Sequence, residues 1–209
     1  MRRLTLRIHA ATFMREKLEP RLKQARRGRR QVYFVDAAHF VFAPFLGCLW
    51  CATRLFVRAA SGRKRYNVLG ALDAVTYRLI RVTNDGYINA ESVCAPLRAV
   101  ADASVGLPIM LVRDNARYQK CALVQGLAAS LGIELLYLPG YSPNPNLIER
   151  LWRFVRKQSL DATYHEDFTQ FRAAIDGCLD NLSTVHKGEM ATLLTHKFQM
   201  FEDVPLLAA

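Results

Sequence analysis

Apolar and polar positions alternate along this chain with two different periods. Short runs rich in β-branched and aromatic residues predict buried strands. These runs cover residues 32–35, 66–74, 77–82, 109–113 and 133–138, and the second and third are close enough to form a hairpin. Apolar residues at intervals of three and four predict helices over residues 89–103, 115–131, 146–160, 168–182 and 190–201. Strands first and α/β alternation later predict an α/β fold, a mixed sheet flanked by helices on both faces.

The connections between these elements differ in composition. A loop rich in large apolar residues follows the first strand, over residues 39–55. A turn with a basic cluster, Arg63, Lys64 and Arg65, precedes the second strand. Residues 139–145 contain three prolines, which remove backbone donors and fix φ. This last segment is therefore neither helix nor central strand.

Positive charge is concentrated at the beginning of the chain. The 209 residues carry a net charge of +11, and residues 1–30 alone hold 11 Lys and Arg against two acids. We expect a basic helical lead or linker over residues 1–30, one domain over residues 31–203 and a C-terminal tail over residues 204–209. The lead suits contacts with DNA phosphates, although a solvated charged helix fits the same composition.

The first 30 residues also have apolar positions with helical spacing. Pro20 predicts the start of a fresh helical turn, and Gly28 predicts its end. Leu18 and Leu22 are spaced to pack on one side of this helix. The basic side chains on the other side are expected to stay in water.

The five cysteines indicate a reducing compartment. An odd number of cysteines without a secretory signal favours reduced thiols in the cytoplasm. Cys48 and Cys51 have the CxxC spacing of zinc and redox sites, but their neighbours are apolar and there is no second such pair. Because no apolar run approaches 18 residues, we expect no membrane-spanning helix.

Three acidic residues occupy positions that the predicted fold could bring together. Asp36 and Asp114 each follow an apolar strand, and Glu149 lies near the start of a helix. If the two strands are adjacent and parallel, their Cα atoms lie about 5 Å apart. Two unpaired carboxylates so close repel unless a cation lies between them, and Mg²⁺ prefers carboxylate oxygens. The pattern predicts a two-metal site for cutting and joining phosphodiester bonds.

Each acid alone also has a plain structural interpretation. Asp36 fits a turn former at a strand end, and Asp114 with Asn115 fits the N-cap of the next helix. Glu149 could pair with Arg153 one turn later or favour the helix N-terminus through the dipole. The combination of the three acids with their flanking sequences favours the metal site.

Three sequence motifs surround these acids. They are residues 35–40 (VDAAHF), 114–119 (DNARYQ) and 138–152 (LPGYSPNPNLIERLW). With them, the chain resembles the DDE-type transposases of bacterial insertion sequences related to the mariner superfamily, over about residues 32–201. The resemblance implies a ribonuclease H-like fold. It also implies a catalytic site in which Asp36, Asp114 and Glu149 hold two Mg²⁺ ions, with Mn²⁺ as a substitute.

The resemblance further implies a reaction and partners. The reaction is cleavage at the ends of a mobile element, followed by strand transfer of the freed 3′-hydroxyl into target DNA. The expected partners are the element ends, the target DNA and a second copy of the chain in a homodimer. Since only about 30 residues precede the first strand, a separately encoded helix-turn-helix half is a further expected partner. The expected location is the bacterial cytoplasm, with the nucleoid.

Several residues near the three motifs are candidates for other roles. Arg113 precedes Asp114 and is expected on the other face of the strand, tolerated at a sheet edge rather than bound to DNA. Trp152 is expected in the core, and His39 is more typical of a structural histidine than of one supporting a metal ligand. The candidate DNA-phosphate contacts are Arg63, Lys64, Arg65, Arg150, Arg153, Arg156 and Lys157.

Two other functions remain open from the sequence. One is a catalytically silent, truncated remnant of such a transposase that still binds DNA. The other is a ribonuclease H-type nuclease acting on RNA–DNA hybrids, which shares the fold but not the proline-rich motif before Glu149.

Overall fold

The structure, a computed structural model, describes residues 12–42, 63–104, 106–115, 120–139 and 146–195. Within these ranges five strands form one sheet in the order β3-β2-β1-β4-β5. The strands are β1 (Gln31–Phe42), β2 (Lys64–Asp73), β3 (Leu79–Asn84), β4 (Ile109–Arg113) and β5 (Ile133–Tyr137). The pairs β1–β4 and β4–β5 are parallel, whereas β1–β2 and β2–β3 are antiparallel. The predicted mixed sheet is confirmed.

Helices cover both faces of this sheet, as predicted. The first, α1 (Met14–Leu18), has π-helical bonding and runs directly into α2 (Glu19–Arg26). The others are α3 (Ala90–Ala103), α4 (Ala122–Ser130), α5 (Leu147–Ser159), α6 (Phe168–Asp180) and α7 (Lys187–Leu193). Asn89 and Asp167 cap α3 and α6 by accepting backbone N–H groups through their side chains, which explains why those helices begin where they do.

The sheet separates two hydrophobic clusters among the described residues. On one face, alternate side chains of β1, including Phe34 and Phe40, pack against α1, α2, α5, α6 and α7. On the other face, Tyr33 and Val35 pack against α3 and α4. The alternation follows from the two-residue period of a strand. We call the first side the α5 face and the second the α3 face.

The lead segment contributes to the core of the α5 face. Leu18 and Leu22 are fully buried, as their spacing predicts. Gly28 ends α2 with φ of 67°, a left-handed conformation that glycine adopts without steric cost. Arg21 and Arg30 both hydrogen-bond the Glu134 carboxylate on β5, which fastens the segment to the sheet edge. The domain boundary at residue 30 stays a prediction.

Two predicted elements differ from the structure. The first strand was predicted to end at residue 35, but β1 continues to Phe42, because its outer half pairs with β2 after β4 has ended. Lys64 and Arg65 were predicted in a turn, but they open β2 opposite Phe42 and Val41. The part of the predicted loop at residues 43–55 lies outside the described residues.

Two predicted helices also begin elsewhere. The helix predicted from residue 115 begins at Ala122 with Cys121 at its N-cap, so the N-cap interpretation of Asp114 is wrong. The last helix begins at Lys187, three residues earlier than predicted, and the structure describes it only to Leu193. By contrast, β4 has both of its predicted ends.

Two further observations concern the cysteine thiols and the apolar character of the helices. Cys94, Cys121 and Cys178 are free thiols, while Cys48 and Cys51 lie outside the described residues. Among the described helices, none combines the length and the apolar character that crossing a membrane requires.

Candidate functional site

Asp36 lies where β1 loses one of its two neighbours. Val35 pairs with Arg113 in the last parallel pair between β1 and β4, and Asp36 is the next residue along β1. Asp114 directly follows β4, at the same level of the sheet. Asp36 was predicted at a strand end, which is wrong, but it does stand at the end of the parallel pairing. This geometry brings the two carboxylates to neighbouring positions.

Both aspartates belong to the α5 face. Phe34 and Ala38, two residues before and after Asp36, pack in the cluster of that face. On β4 the same holds for Val112, two residues before Asp114. Since alternate side chains of a strand share one face, Asp36 and Asp114 are directed toward α5.

Glu149 lies in the first turn of α5. The helix is strongly amphipathic, because its buried residues fall at helical spacing on the side that meets the sheet. They are Leu147, Ile148, Leu151, Trp152, Val155 and Ser159. Glu149 is at the margin of this buried side, where the helix dipole also favours a negative charge.

The carboxyl group of Asp36 is electrostatically strained. Its pKa is raised to about 7, first by burial and then by the negative charges of Asp114 and Glu149. The backbone N–H of Ala37 and the indole of Trp152 act in the opposite direction, lowering the pKa. A large part of the Asp36 population is therefore protonated near neutral pH.

Glu149 shares this environment. The residue is exposed overall, but partial burial of its carboxyl group raises the pKa, and the charge of Asp114 raises it further. Arg153, one turn later on α5, lowers it. The three acids are thus close enough for their charges to repel one another, across three different elements.

The donor set suits a hard divalent cation. It consists of carboxylate oxygens, which Mg²⁺ prefers, and a cation between them would relieve the repulsion that raises the pKa of Asp36. In the part of the chain that the structure describes, no group of three His, Cys, Asp or Glu side chains is already arranged around a metal position. Ligation would therefore require the carboxylates to close further around the ion.

The basic residues of α5 take separate positions. Arg150 donates hydrogen bonds to the carbonyl oxygens of Leu193 and Thr195, at 3.3 and 2.8 Å, which fastens α5 to the end of α7. Arg156 donates to the carbonyl oxygen of His39 at 3.3 Å and lies 5.8 Å from the centre of the Phe40 ring.

The basic cluster at the start of β2 lies at the outer end of β1. Arg63, Lys64 and Arg65 are exposed, and Arg65 pairs with Val41, two residues beyond the His39 carbonyl that Arg156 reaches. Arg153, Arg156 and Lys157 are exposed as well. Lys64 pairs with Phe42 and lies over the Phe168 ring on the α5 face, whereas Arg65 pairs with Val41 and projects from the opposite face of the sheet. Only Lys64 of this cluster is therefore shown on the same face as the α5 cations, while Arg150 is engaged elsewhere.

Arg113 was predicted at a sheet edge, and that prediction is wrong. It is 2% exposed, and its strand β4 lies between β1 and β5. Leu111, two residues earlier, packs on the α3 face, so Arg113 is directed away from Asp114 as predicted. Its charge lowers the pKa of Tyr137, its partner on β5, although burial raises that pKa more.

His39 is held in a hydrogen bond, at 2.7 Å, between its Nδ1 and the Asn67 Oδ1. Asn67 is itself buried and donates to the Gly86 carbonyl oxygen. This network ties β1 to β2 and to the turn after β3, which agrees with the structural interpretation of His39.

The sequence did not single out the contact between Trp152 and Asp36. Trp152 is 5% exposed, so its predicted place in the core is confirmed. Its indole N–H has no acceptor with hydrogen-bond geometry among the described residues, although it lies close enough to Asp36 to lower the pKa of that carboxyl. Gly70, on β2 opposite Asp36, was also missed. A glycine inside a strand was the available signal, since it often marks a close approach.

Comparison with known proteins gives a family match. A family model described as DDE superfamily endonuclease matches residues 31–172, more than half of the chain. No curated protein matches the chain.

Two solved structures are similar in fold. One is a chain in the cryo-EM structure of the simian T-cell lymphotropic virus intasome in complex with PP2A regulatory subunit B56 gamma. Its TM-score is 0.51 at 15% identity, and the match covers 75% of this chain and 49% of that chain. The other is the HTLV-2 integrase catalytic core domain in complex with magnesium, in a dimeric form. Its TM-score is 0.50 at 14% identity, covering 75% of this chain and 88% of that chain. These likenesses confirm the ribonuclease H-like fold.

Proposed function

Because the chain belongs to the DDE superfamily of endonucleases, we propose that it is a transposase catalytic domain that cuts DNA in a metal-dependent reaction and transfers the cut strand to a target. The observation that carries this proposal is the mutual electrostatic influence of Asp36, Asp114 and Glu149 on the α5 face. An uncompensated cluster of carboxylates beside a positively charged surface suits phosphoryl transfer better than it suits fold stability.

Asp36, Asp114 and Glu149 would hold the metal. Their carboxylate oxygens fit Mg²⁺, with Mn²⁺ as a substitute, and two ions are proposed; the magnesium in the HTLV-2 integrase core supports a divalent cation. When bound, divalent cations lower the pKa of an attacking water or hydroxyl and stabilise the charge on the leaving oxygen. Partial burial of the Asp36 carboxyl limits its contact with water and strengthens its attraction to a cation.

The reaction would proceed in two phosphoryl transfers. In the first, water attacks a phosphodiester, and the bond to the 3′-oxygen breaks to leave a free 3′-hydroxyl. In the second, this hydroxyl attacks a phosphodiester of the target DNA, and the target's own 3′-oxygen leaves. Neither transfer needs a covalent bond to the protein, so the three acids act by positioning.

Exposed cations beside the site would hold the DNA backbone. Arg153, Arg156 and Lys157 are exposed on α5, and Arg156 reaches the outer half of β1 at His39. Arg63, Lys64 and Arg65 lie at the far end of that half, where Lys64 shares the α5 face and Arg65 projects from the opposite face. Phosphate contacts of this kind position a duplex without reading its sequence. Arg150 remains part of this proposal only if DNA binding releases it from the carbonyl oxygens of Leu193 and Thr195.

The test uses supercoiled plasmid and a labelled duplex with a free 3′-hydroxyl, incubated with Mg²⁺ or Mn²⁺. We expect nicked and linear plasmid, and label joined to plasmid, only with a divalent cation. Asp114→Asn removes one proposed ligand and should abolish both products. Asp102→Asn, at an exposed position of α3, is the matched control and should leave them unchanged. An Asp114→Asn protein that cuts as well as wild type would overturn the assignment.

The same assay separates the alternative functions. Binding of the duplex that weakens steeply with salt, without cleavage in any divalent cation, would indicate a silent remnant. Preferred cleavage of an RNA–DNA hybrid would indicate a ribonuclease H-type nuclease. The dimeric form of the HTLV-2 core supports a homodimer here as well, which light scattering with and without DNA would test.

A further inference from the structure

Gly70 stands opposite Asp36 in the β1–β2 ladder. Side chains of directly paired residues project from the same face, so a Cβ at position 70 would point toward α5 beside the Asp36 side chain. It would lie 2.8 Å from Cη2 and 2.9 Å from Cζ2 of Trp152, and 3.0 Å from Cδ1 of Ile148. Carbon atoms in proteins do not approach so closely. The space that the missing side chain leaves is therefore filled by α5.

Trp152 connects this space to the acidic site. Its six-membered ring rests above Gly70, its indole lies beside the Asp36 carboxyl, and it meets the Phe40 ring edge-on with 6.4 Å between centroids. Trp152 lies three residues after Glu149 on the same helix. Residues at this spacing are neighbours on a helix, so a displacement of Trp152 from the sheet carries Glu149 with it.

We propose that Gly70 and Trp152 are positioning residues, and that the Trp152 ring, seated above Gly70, fixes the height of Glu149 over Asp36. The proposal rests on the proposed function, since the spacing matters for activity only if these acids act together. Ile148, in the preceding turn of α5, also packs over Gly70 through its Cδ1 atom. A tryptophan is suited to this task because it is large, rigid and buried.

Spacing of this kind has a large effect on catalysis. A misplacement of about 1 Å of a group at a reacting centre can cost on the order of a hundredfold in rate. In Gly70→Ala the new methyl group must push the Trp152 ring, and with it α5, away from β2. We expect cleavage by Gly70→Ala to fall roughly ten- to a hundredfold. We also expect half-maximal activity to need a higher Mg²⁺ concentration.

A compensating variant distinguishes spacing from simple damage. In Gly70→Ala combined with Trp152→Phe, the shorter ring leaves room for the methyl group, so α5 can return. This double variant should regain most of the activity that Gly70→Ala loses, in a double-mutant cycle of the kind that isolates direct contacts. Trp152→Phe alone should lower activity less than Gly70→Ala, because it opens space instead of forcing a displacement.

Two control variants match the chemical changes elsewhere. Gly126→Ala adds the same methyl group in α4, where nothing lies within 4 Å of the new Cβ, and should behave as wild type. Leu97→Ala removes a fully buried side chain from the α3 face and lowers stability away from the site. At a temperature where every variant is folded, Leu97→Ala should keep its cleavage rate.

The variants are measured in plasmid nicking across a Mg²⁺ titration, and in thermal unfolding with added Mn²⁺ and no DNA. Wild-type activity in Gly70→Ala, or an equal loss in Leu97→Ala, would overturn the positioning role. If wild type neither nicks DNA nor gains thermal stability from Mn²⁺, the proposed function fails. In that case a crystal structure of Gly70→Ala tests the positioning role directly. If α5 has not moved away from β2 in that structure, the positioning role of Gly70 and Trp152 is overturned.

Discussion

Glu134 and Asp36 are both carboxylates on the central sheet, but their surroundings are opposite. Burial alone raises the pKa of Glu134, but hydrogen bonds and charge from Arg30 and Arg21 outweigh burial and lower it. Burial raises the pKa of Asp36 too, and there the charged neighbours are Asp114 and Glu149, which raise it further, to about 7.

This difference separates a carboxylate whose cationic neighbours fasten two elements together from one whose charged neighbours are themselves acidic. At Glu134 the chain supplies two cations and fastens the lead segment to β5. At Asp36 the charged neighbours are acidic, so the ionised form of the carboxyl group costs stability in its partly dry environment. Such an arrangement is typical of functional sites, where the missing positive charge comes from a ligand.

The largest expected effect is on the DNA cleavage rate when the carboxyl group of Asp36 or of Glu134 is replaced by an uncharged amide. Asp36→Asn removes a proposed metal ligand and should lower DNA cleavage at least about a thousandfold, because metal stabilisation of transition-state charge is worth several kcal/mol. Glu134→Gln makes the same change in charge and size and should leave the cleavage rate within about twofold. Both are measured by plasmid nicking at saturating Mg²⁺. Equal losses in the two variants would remove the distinction between the sites.

The second effect is on stability as a function of pH. The folded-state pKa of Asp36, about 7, lies above its unfolded value near 3.8, so folding favours the protonated form. The resulting stability is fully present below about pH 4 and is lost as the pH rises through 7. In chelator, Asp36→Asn should therefore be more stable than wild type at pH 8, by roughly 2–4 kcal/mol, and should show no such advantage at pH 4.

Urea unfolding at the two pH values measures this difference. Added Mg²⁺ should reduce it at pH 8, because a bound cation stabilises only the wild-type carboxylate. A difference that does not change with pH would mean that the Asp36 carboxyl is not strained in the folded protein.

A smaller effect is expected from the stability of the Glu134 cluster. Glu134→Gln should destabilise the protein by about 1 kcal/mol, since the ion pairs with Arg21 and Arg30 are partly exposed to water. Glu166→Gln, at an exposed position of the loop before α6, is the matched control and should be nearly neutral. Urea unfolding at pH 7 measures both. A loss confined to high ionic strength would contradict the prediction, because salt weakens such pairs.

The smallest expected effect is the electrostatic influence of Asp114 on its neighbours. Asp114→Asn removes a charge that raises the pKa of both Asp36 and Glu149, so both values should fall. The fall at Asp36 should be smaller than the total rise, because burial is the main cause there. Carbon-detected NMR titration of the carboxyl groups measures this, and unchanged pKa values would show that the three acids are independent.

Local patterns predicted the elements whose ends depend on local chemistry. The apolar run of β4 ends where Arg113 meets Asp114, and Asn89 begins α3 as its cap. The outer half of β1 could not be predicted in this way, because its strand character depends on pairing with β2, a neighbour that periodicity does not identify.

The candidate site was predictable as a set of residues but not as an arrangement. The motifs placed Asp36, Asp114 and Glu149 near strand ends and a helix start. They could not show that β1 runs past Asp36, or that Arg113 is buried on the opposite face. Nor could they show that the Trp152 ring packs on Gly70, because this contact joins residues on separate elements.

The pairing of β1 with β4 has a consequence for biosynthesis. β2 and β3 are joined by a tight turn that the Asp73 carboxylate closes. The parallel pairing of β1 forms only after β4 has been synthesised, and the three acids come together only after α5 has been synthesised. Closing distant segments is slower than closing a turn, and a nascent chain folds from its N-terminus as it leaves the ribosome. A partly synthesised chain therefore contains the first aspartate without its partners. The three acids can act together only after α5 has been synthesised and has packed on the sheet.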